Sequence, residues 1–167
     1  MPEIWDLYDA RRNATGETIQ RGQTLPEGRY HLVVHGWVIN SKNEILMTQR
    51  HPEKPFPMLW ECTAGSAIAG ESSGVAVLRE LREEIGVSFS LLDGRRLQSI
   101  RREDAFVDVW VFRGDLEINK LVLQQEEVVA AKWVTPEIFR DMFQQQRVVP
   151  SLYYFPSLYQ RVMRGGI

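Results

Sequence analysis

The stretch GSAIAGESSGVAVLRELREEIGV, Gly65–Val87, decides the reading of this chain. At about 100° per residue, Val75, Leu78, Leu81 and Ile85 share one face of a helix that begins near Ser72 or Ser73. Glu80, Glu83 and Glu84 fall on an arc nearly opposite. Gly86 follows as a left-handed terminator, with Val87 placed to fold back onto the apolar face. Like charges three and four residues apart repel by roughly 0.2–0.5 kcal/mol per pair, and Arg79, four before Glu83, relieves only part of this. A solvated acidic face is one explanation. The other is a hard divalent cation such as Mg²⁺, which takes several oxygen ligands and converts repulsion into coordination. The helix by itself leaves both open.

Upstream of this stretch, HLVVHGWVIN (His31–Asn40) is rich in β-branched and aromatic residues and predicts a central strand. SKNE then turns the chain into a second strand, ILMTQR, as a hairpin. HPEKPFPMLW holds three prolines and predicts an irregular loop that ends in a short strand around Trp60–Ala64. The opening, IWDLYDARRNATGETIQRG, offers two extended pieces about a polar turn at Asn13–Gly16, a hairpin laid against the main body. Downstream, strands are expected near Leu97–Arg101, Phe106–Phe112 and Val128–Val134. Thr135-Pro136-Glu137 combines a hydroxyl cap, a first-turn proline and an acid, and starts a second helix through IFRDMFQQQ. Strands and two helices alternate without a regular βαβ series. The expected class is α+β, a mixed sheet between helices.

The 167 residues show no repeat, low-complexity tract or linker, which predicts a single domain over 1–167. Residues 1–30 read as an N-terminal extension with the hairpin, and 147–167 as a C-terminal elaboration. Hydrophobic residues make up 44% and charged residues 25%, the balance of a globular chain with a real core. A formal net charge of -2 argues against general nucleic-acid binding by phosphate neutralisation. No segment approaches the roughly 20 apolar residues of a membrane span. MPEIWDLYDA lacks a basic stretch followed by an apolar run, and the single cysteine, Cys62, suits a reducing compartment. The expectation is a cytoplasmic protein with a small-molecule partner, no nucleic acid and no membrane.

Gly65, five residues, Glu71, seven residues, then Arg79-Glu80-Leu81-x-Glu83-Glu84-x-Gly86-Val87 resembles the Nudix box at every specified position. The resemblance implies the Nudix α/β/α sandwich and cleavage of a diphosphate linkage in a nucleoside diphosphate joined to another group. It implies that Glu80, Glu83 and Glu84 hold Mg²⁺ or Mn²⁺, with Glu80 as an alternative base. It also implies that Glu71 and Arg79 orient the loop and helix. Gly65 opens that loop, which can bring backbone close to the metal.

A looser resemblance points to the isopentenyl-diphosphate isomerase branch. It rests on His31-Leu32 with Trp37 and Asn40, the QR…K…P…LW run and the later EEV…KWV. Isomerases of that branch use a cysteine immediately before the box glycine, where this chain has Ala64. Cys62 lies two residues earlier and reads as a small buried residue. An isomerase-like hydrolase is therefore expected, with isopentenyl-diphosphate isomerisation and a non-catalytic nucleotide-binding domain as alternatives. His31 matches an isomerase metal position whose partner position here is Thr24, so a satisfied core or edge histidine is expected. Arg50 and Lys54 sit in a loop that could reach a diphosphate, ordinary surface charge being equally open. Glu126 and Glu127 precede a late strand, and Nudix enzymes draw an extra ligand or base from such loops; Glu127 is the catalytic candidate. Arg95, Arg96, Arg101 and Arg102 read as solvated surface. SLYYFPSLYQRVM is expected to cover the core, a homodimer partner being the alternative.

Overall fold

The computed structural model describes residues 1–165; residues 166–167, the tail of the C-terminal elaboration, lie outside them. Strands β1 (Ile4–Tyr8) and β2 (Ala14–Gln20) form the antiparallel N-terminal hairpin. Its turn lies earlier than Asn13–Gly16. The Asp9 carboxylate accepts the backbone N–H groups of Arg11 (2.8 Å) and Asn13 (2.9 Å) and so closes the chain over Asp9–Asn13.

The main sheet is mixed and seven-stranded: β3 (His31–Ile39), β4 (Ile45–Arg50), β5 (Trp60–Glu61), β6 (Thr63–Ser66), β7 (Gly94–Arg101), β8 (Ala105–Arg113) and β9 (Val128–Val134). β3 and β8 run parallel from His31–Ala105 to Ile39–Arg113. The β3–β4 hairpin pairs only at Ile39–Ile45. Beyond it β3 bonds β6, while β4 bonds β9 and β5. The expected strand Trp60–Ala64 is thus two strands with different partners, parted at Cys62.

Among the described residues three helices flank the sheet: α1 (Ser73–Ile85), α2 (Pro136–Gln144) and α3 (Phe155–Gly165). The Ser72 hydroxyl accepts the Val75 N–H at 3.3 Å to start α1, and Gly86 ends it at φ 72°. Thr135 caps α2 in the same way. Sequence reasoning placed the α3 segment over the core but not in a helix. Phe155, Leu158 and Val162 are nevertheless its buried residues, at helical spacing.

Period-two alternation sorts the strands between the helix layers. Val107, Val109 and Val111 of β8 join Trp37, Phe139, Phe155, Leu158 and Val162 on the α2–α3 face. Phe106 and Phe112 join Leu32, Val34 and Val38 beneath α1. This is the α/β/α sandwich. Asp108 also lies on the α1 side and is fully buried, with both guanidinium nitrogens of Arg12 at 2.5 Å and Arg96 at 3.2 Å. Arg12 sits in the hairpin turn, so this ion pair fastens the hairpin to the sheet.

One expectation about α1 is corrected. Beyond its first two residues its buried residues are Ala76, Val77, Leu81 and Ile85 together with Glu80 and Glu84, whereas Val75 is half exposed. Glu80 and Glu84 share the sheet-facing arc, while Glu83 stays outside it. Gly36 makes this possible, since a Cβ there would lie 3.0 Å from Val77. The backbones approach closely on that line, with Val77 and Leu81 seated against Gly36, and this sets the roll of the helix. Among the described residues, no helix is long and apolar enough to cross a membrane.

Candidate active site

Glu80 and Glu84 lie one turn apart on the buried side of α1, and Glu83 lies on its open flank. Opposite Glu80 is Gly65 of β6, where a Cβ would fall 2.0 Å from Glu80 Oε1. Only glycine leaves room for that carboxylate. Arg79 ties the box together. Its Nε and Nη2 donate to Glu71 at 2.8 and 2.9 Å, and Nη2 also donates to the Ser66 carbonyl at 3.0 Å. Its Nη1 donates to Glu80 at 2.8 Å and to Glu83 at 3.0 Å. Glu71 further accepts the Ile68 N–H at 3.0 Å, which fixes the loop between β6 and α1. One guanidinium thus orients the loop and two acids through charge-assisted bonds.

These groups line a small polar cleft of about 170 Å³. β6 contributes Ala64, Gly65 and Ser66, and α1 contributes Arg79, Glu80, Glu83 and Glu84. Lys54 reaches in from the proline-rich loop, and Gln124 and Glu127 from the segment before β9. Lys54 and Glu127 form an ion pair across it. The backbone of Gln124 donates to the Glu84 carbonyl at 3.0 Å, so this segment wraps the end of α1. Glu3 and Arg21 of the N-terminal hairpin complete the wall.

The electrostatics are those of a site short of positive charge. Glu84 Oε2 is buried with no hydrogen-bond partner among the described residues. Burial, with Glu61 and Glu80 adding to it, pushes the Glu84 carboxyl well above the usual range. Burial raises Glu80 too, against the pull of Arg79. Burial also works on Glu71, yet its bonds to Arg79 and Ile68 outweigh it and hold this carboxyl low. Among the described residues no three acid, imidazole or thiol groups already stand at ligand spacing, and Glu80 and Glu83 are engaged with Arg79. Unpartnered, buried carboxylate oxygen is the donor type a hard divalent cation takes. A roomier groove of about 430 Å³ between α2 and α3 offers, among the described residues, a single carboxylate, Glu137.

The other sequence candidates stand elsewhere. Arg50 is not in the cleft wall; its Nη1 contacts both Glu61 oxygens at 2.8 and 2.7 Å and its Nε donates to the Pro55 carbonyl at 2.6 Å. Glu126 does not line the cleft either. His31 is buried and stacked on Trp5 at 4.2 Å, and burial lowers its pKa; its Nδ1 has no hydrogen-bond partner among the described residues, so it is a buried histidine but not the satisfied one expected. His35 is bonded to the Tyr154 hydroxyl at 2.6 Å, and burial pushes it down to about 3. Three of the four arginines are engaged: Arg96 with Asp108, Arg101 with the Tyr30 hydroxyl at 2.6 Å, and Arg102 with the Ser151 carbonyl at 2.8 Å. Sequence reasoning missed Glu61, Glu3 and Arg21. Glu61 had a signal, an acid inside a short apolar strand segment. Glu3 and Arg21 had none.

A model of the NUDIX domain matches residues 29–153. A Nudix hydrolase of Listeria monocytogenes is 37% identical over 155 residues, covering 92% of this chain and 90% of that protein. An isopentenyl-diphosphate Δ-isomerase of Escherichia coli is 31% identical over 86 residues, half of this chain and 47% of the enzyme. In fold, the crystal structure of a Deinococcus radiodurans protein, DR0079, superposes with a TM-score of 0.77 at 24% identity, covering 95% and 98% of the two chains. With the complete box folded around one acid-lined cleft, this chain belongs to the Nudix hydrolase family.

Proposed function

We propose that the chain is a divalent-cation-dependent hydrolase that cleaves the diphosphate linkage of a small nucleoside-diphosphate-type substrate. The observation that carries this reading is the unpartnered, buried Glu84 oxygen in a cleft that also holds Glu80 and Glu83. Glu80, Glu83 and Glu84 would hold Mg²⁺ or Mn²⁺, which when bound supplies charge neutralisation at the phosphate oxygens. Arg79 keeps Glu80 and Glu83 in place for that task. Lys54 offers its ammonium to a phosphate, and in moving there it releases Glu127 to accept the proton of the attacking water. The Arg50–Glu61 ion pair supports the loop that carries Lys54. The same arrangement does not favour isomerisation: Ala64 precedes the box glycine, and the Cys62 thiol is buried and pushed up by burial.

A screen of nucleotide sugars, dinucleoside polyphosphates, ADP-ribose, nucleoside triphosphates and prenyl diphosphates with Mg²⁺ tests the reading. Release of phosphate or a nucleoside monophosphate is expected. Glu83 is exposed enough to be changed without harm to the fold, so Glu83→Gln should cut turnover by orders of magnitude at an unchanged melting temperature. Near-normal turnover would remove Glu83 from the site, and ligand binding without any product would make the protein a binding domain.

A further inference from the structure

The N-terminal hairpin brings a cation to the cleft that the box does not use. Glu3 precedes β1 and Arg21 follows β2. The Arg21 N–H donates to the Glu3 carbonyl at 2.9 Å, and its Nη1 donates to Glu3 Oε2 at 2.9 Å. The hairpin does not depend on this side-chain pair for its position. Ala69 N–H donates to the Ile4 carbonyl and Gly70 N–H to the Asp6 carboxylate, both at 2.7 Å, while Arg12 reaches buried Asp108.

Three cations line the cleft among the described residues, and they are held very differently. Arg79 is bound to Glu71, Glu80, Glu83 and the Ser66 carbonyl. Lys54 is bound to Glu127. Arg21 has Glu3 as its ionic partner, and the two side chains are 63% and 32% exposed. A pair so open to water contributes little to stability, so exchanging its acceptor costs little. A phosphate group offers a guanidinium two parallel charge-assisted bonds in place of that contact.

We infer that Arg21 is a substrate-binding residue whose guanidinium leaves Glu3 for a phosphate oxygen of the diphosphate substrate, so that the N-terminal hairpin completes the site. This deepens the hydrolase reading and rests on it. Glu3 then competes with substrate for Arg21, so the two residues act on binding with opposite sign.

The test is calorimetric titration of imidodiphosphate with Mg²⁺ into the full chain and into Arg21→Ala, Arg21→Lys and Glu3→Gln. Arg21→Ala should bind about tenfold more weakly or worse, Arg21→Lys should recover part of the loss, and Glu3→Gln should bind more tightly than the parent. If the pair only braces the hairpin, Arg21→Ala and Glu3→Gln will weaken binding alike, which overturns the inference. Unchanged binding by Arg21→Ala, with the parent binding and turning over its substrate, overturns it while the hydrolase reading stands. A parent chain that neither binds imidodiphosphate nor hydrolyses any diphosphate overturns both.

Discussion

Gly65 and Glu80 are fitted to each other atom by atom. A methyl group at position 65 would occupy the volume of the Glu80 carboxyl, with contacts of 2.0 to 2.6 Å. Gly65→Ala should therefore displace Glu80, lower turnover at least about tenfold and cost about 1–3 kcal/mol as overpacking; activity and thermal melts of the purified variant measure both. Glu84 gives a pH dependence. Burial first, then Glu61 and Glu80, raise it, Lys54 opposes and Glu127 adds to the rise. Its folded-state pKa thus lies above the unfolded one, so its contribution to stability is present at acid pH and lost as pH rises through the folded value. In chelator the melting temperature should fall from mildly acidic to alkaline pH. Mg²⁺ should stabilise most at the alkaline end, and Glu84→Gln should flatten the fall. An unchanged slope in the variant would show that Glu84 is not the group titrating. The identity of these acids was legible in the sequence, but their burial was not, because a helical wheel ranks faces by side-chain polarity alone.

At the scale of elements, α1 and the N-terminal hairpin differ in how far their sequences announce them. α1 carries its own start and stop in Ser72 and Gly86, and these were read correctly. Its roll about its axis came from β3 and β6, whose glycines admit one arc closely. The hairpin was legible through its extended pieces and polar turn. Its anchor was not, since Arg12 and Asp108 lie 96 residues apart. Asp108 is fully buried, so Arg12→Ala leaves a buried charge whose remaining ionic contact among the described residues is the weaker one to Arg96. A loss of about 3–5 kcal/mol is expected, measured by denaturant unfolding. Burial alone would raise Asp108, but its bonds to Arg12, Ser73 and Ser99 hold it low. The clamp therefore stabilises above the ordinary carboxylate range and fails as pH falls through the lowered value. A shift of the acid-unfolding midpoint to higher pH in Arg12→Ala would accompany the loss.

At the scale of the whole molecule, the sandwich separates chemistry from ballast. The acid-lined cleft lies on the α1 side, and the α2–α3 layer closes the opposite face with Trp37 stacked on Phe155 at 3.6 Å. Leu158→Ala, fully buried there, should cost about 2–5 kcal/mol. Its kcat should match the parent below the melting range. A proportionate loss of kcat would mean that the two faces are coupled. The split of the sheet at Ile39–Ile45 sends β4 to β5 and β9, and β3 to β6. That parting lets a loop from one half and the box from the other border a single cleft.

The sequence by itself determined the family resemblance, the class of fold, most strand positions, both caps of α1 and the set of box residues. These rest on short-range chemistry, in which caps, turns and alternation act within a few residues. Only the tertiary structure decided that Glu80 and Glu84 face inward, that Arg50 is engaged by Glu61 and that Glu3 and Arg21 reach the cleft. Each of those depends on which distant backbone comes near, and no local pattern encodes a contact made across the whole chain.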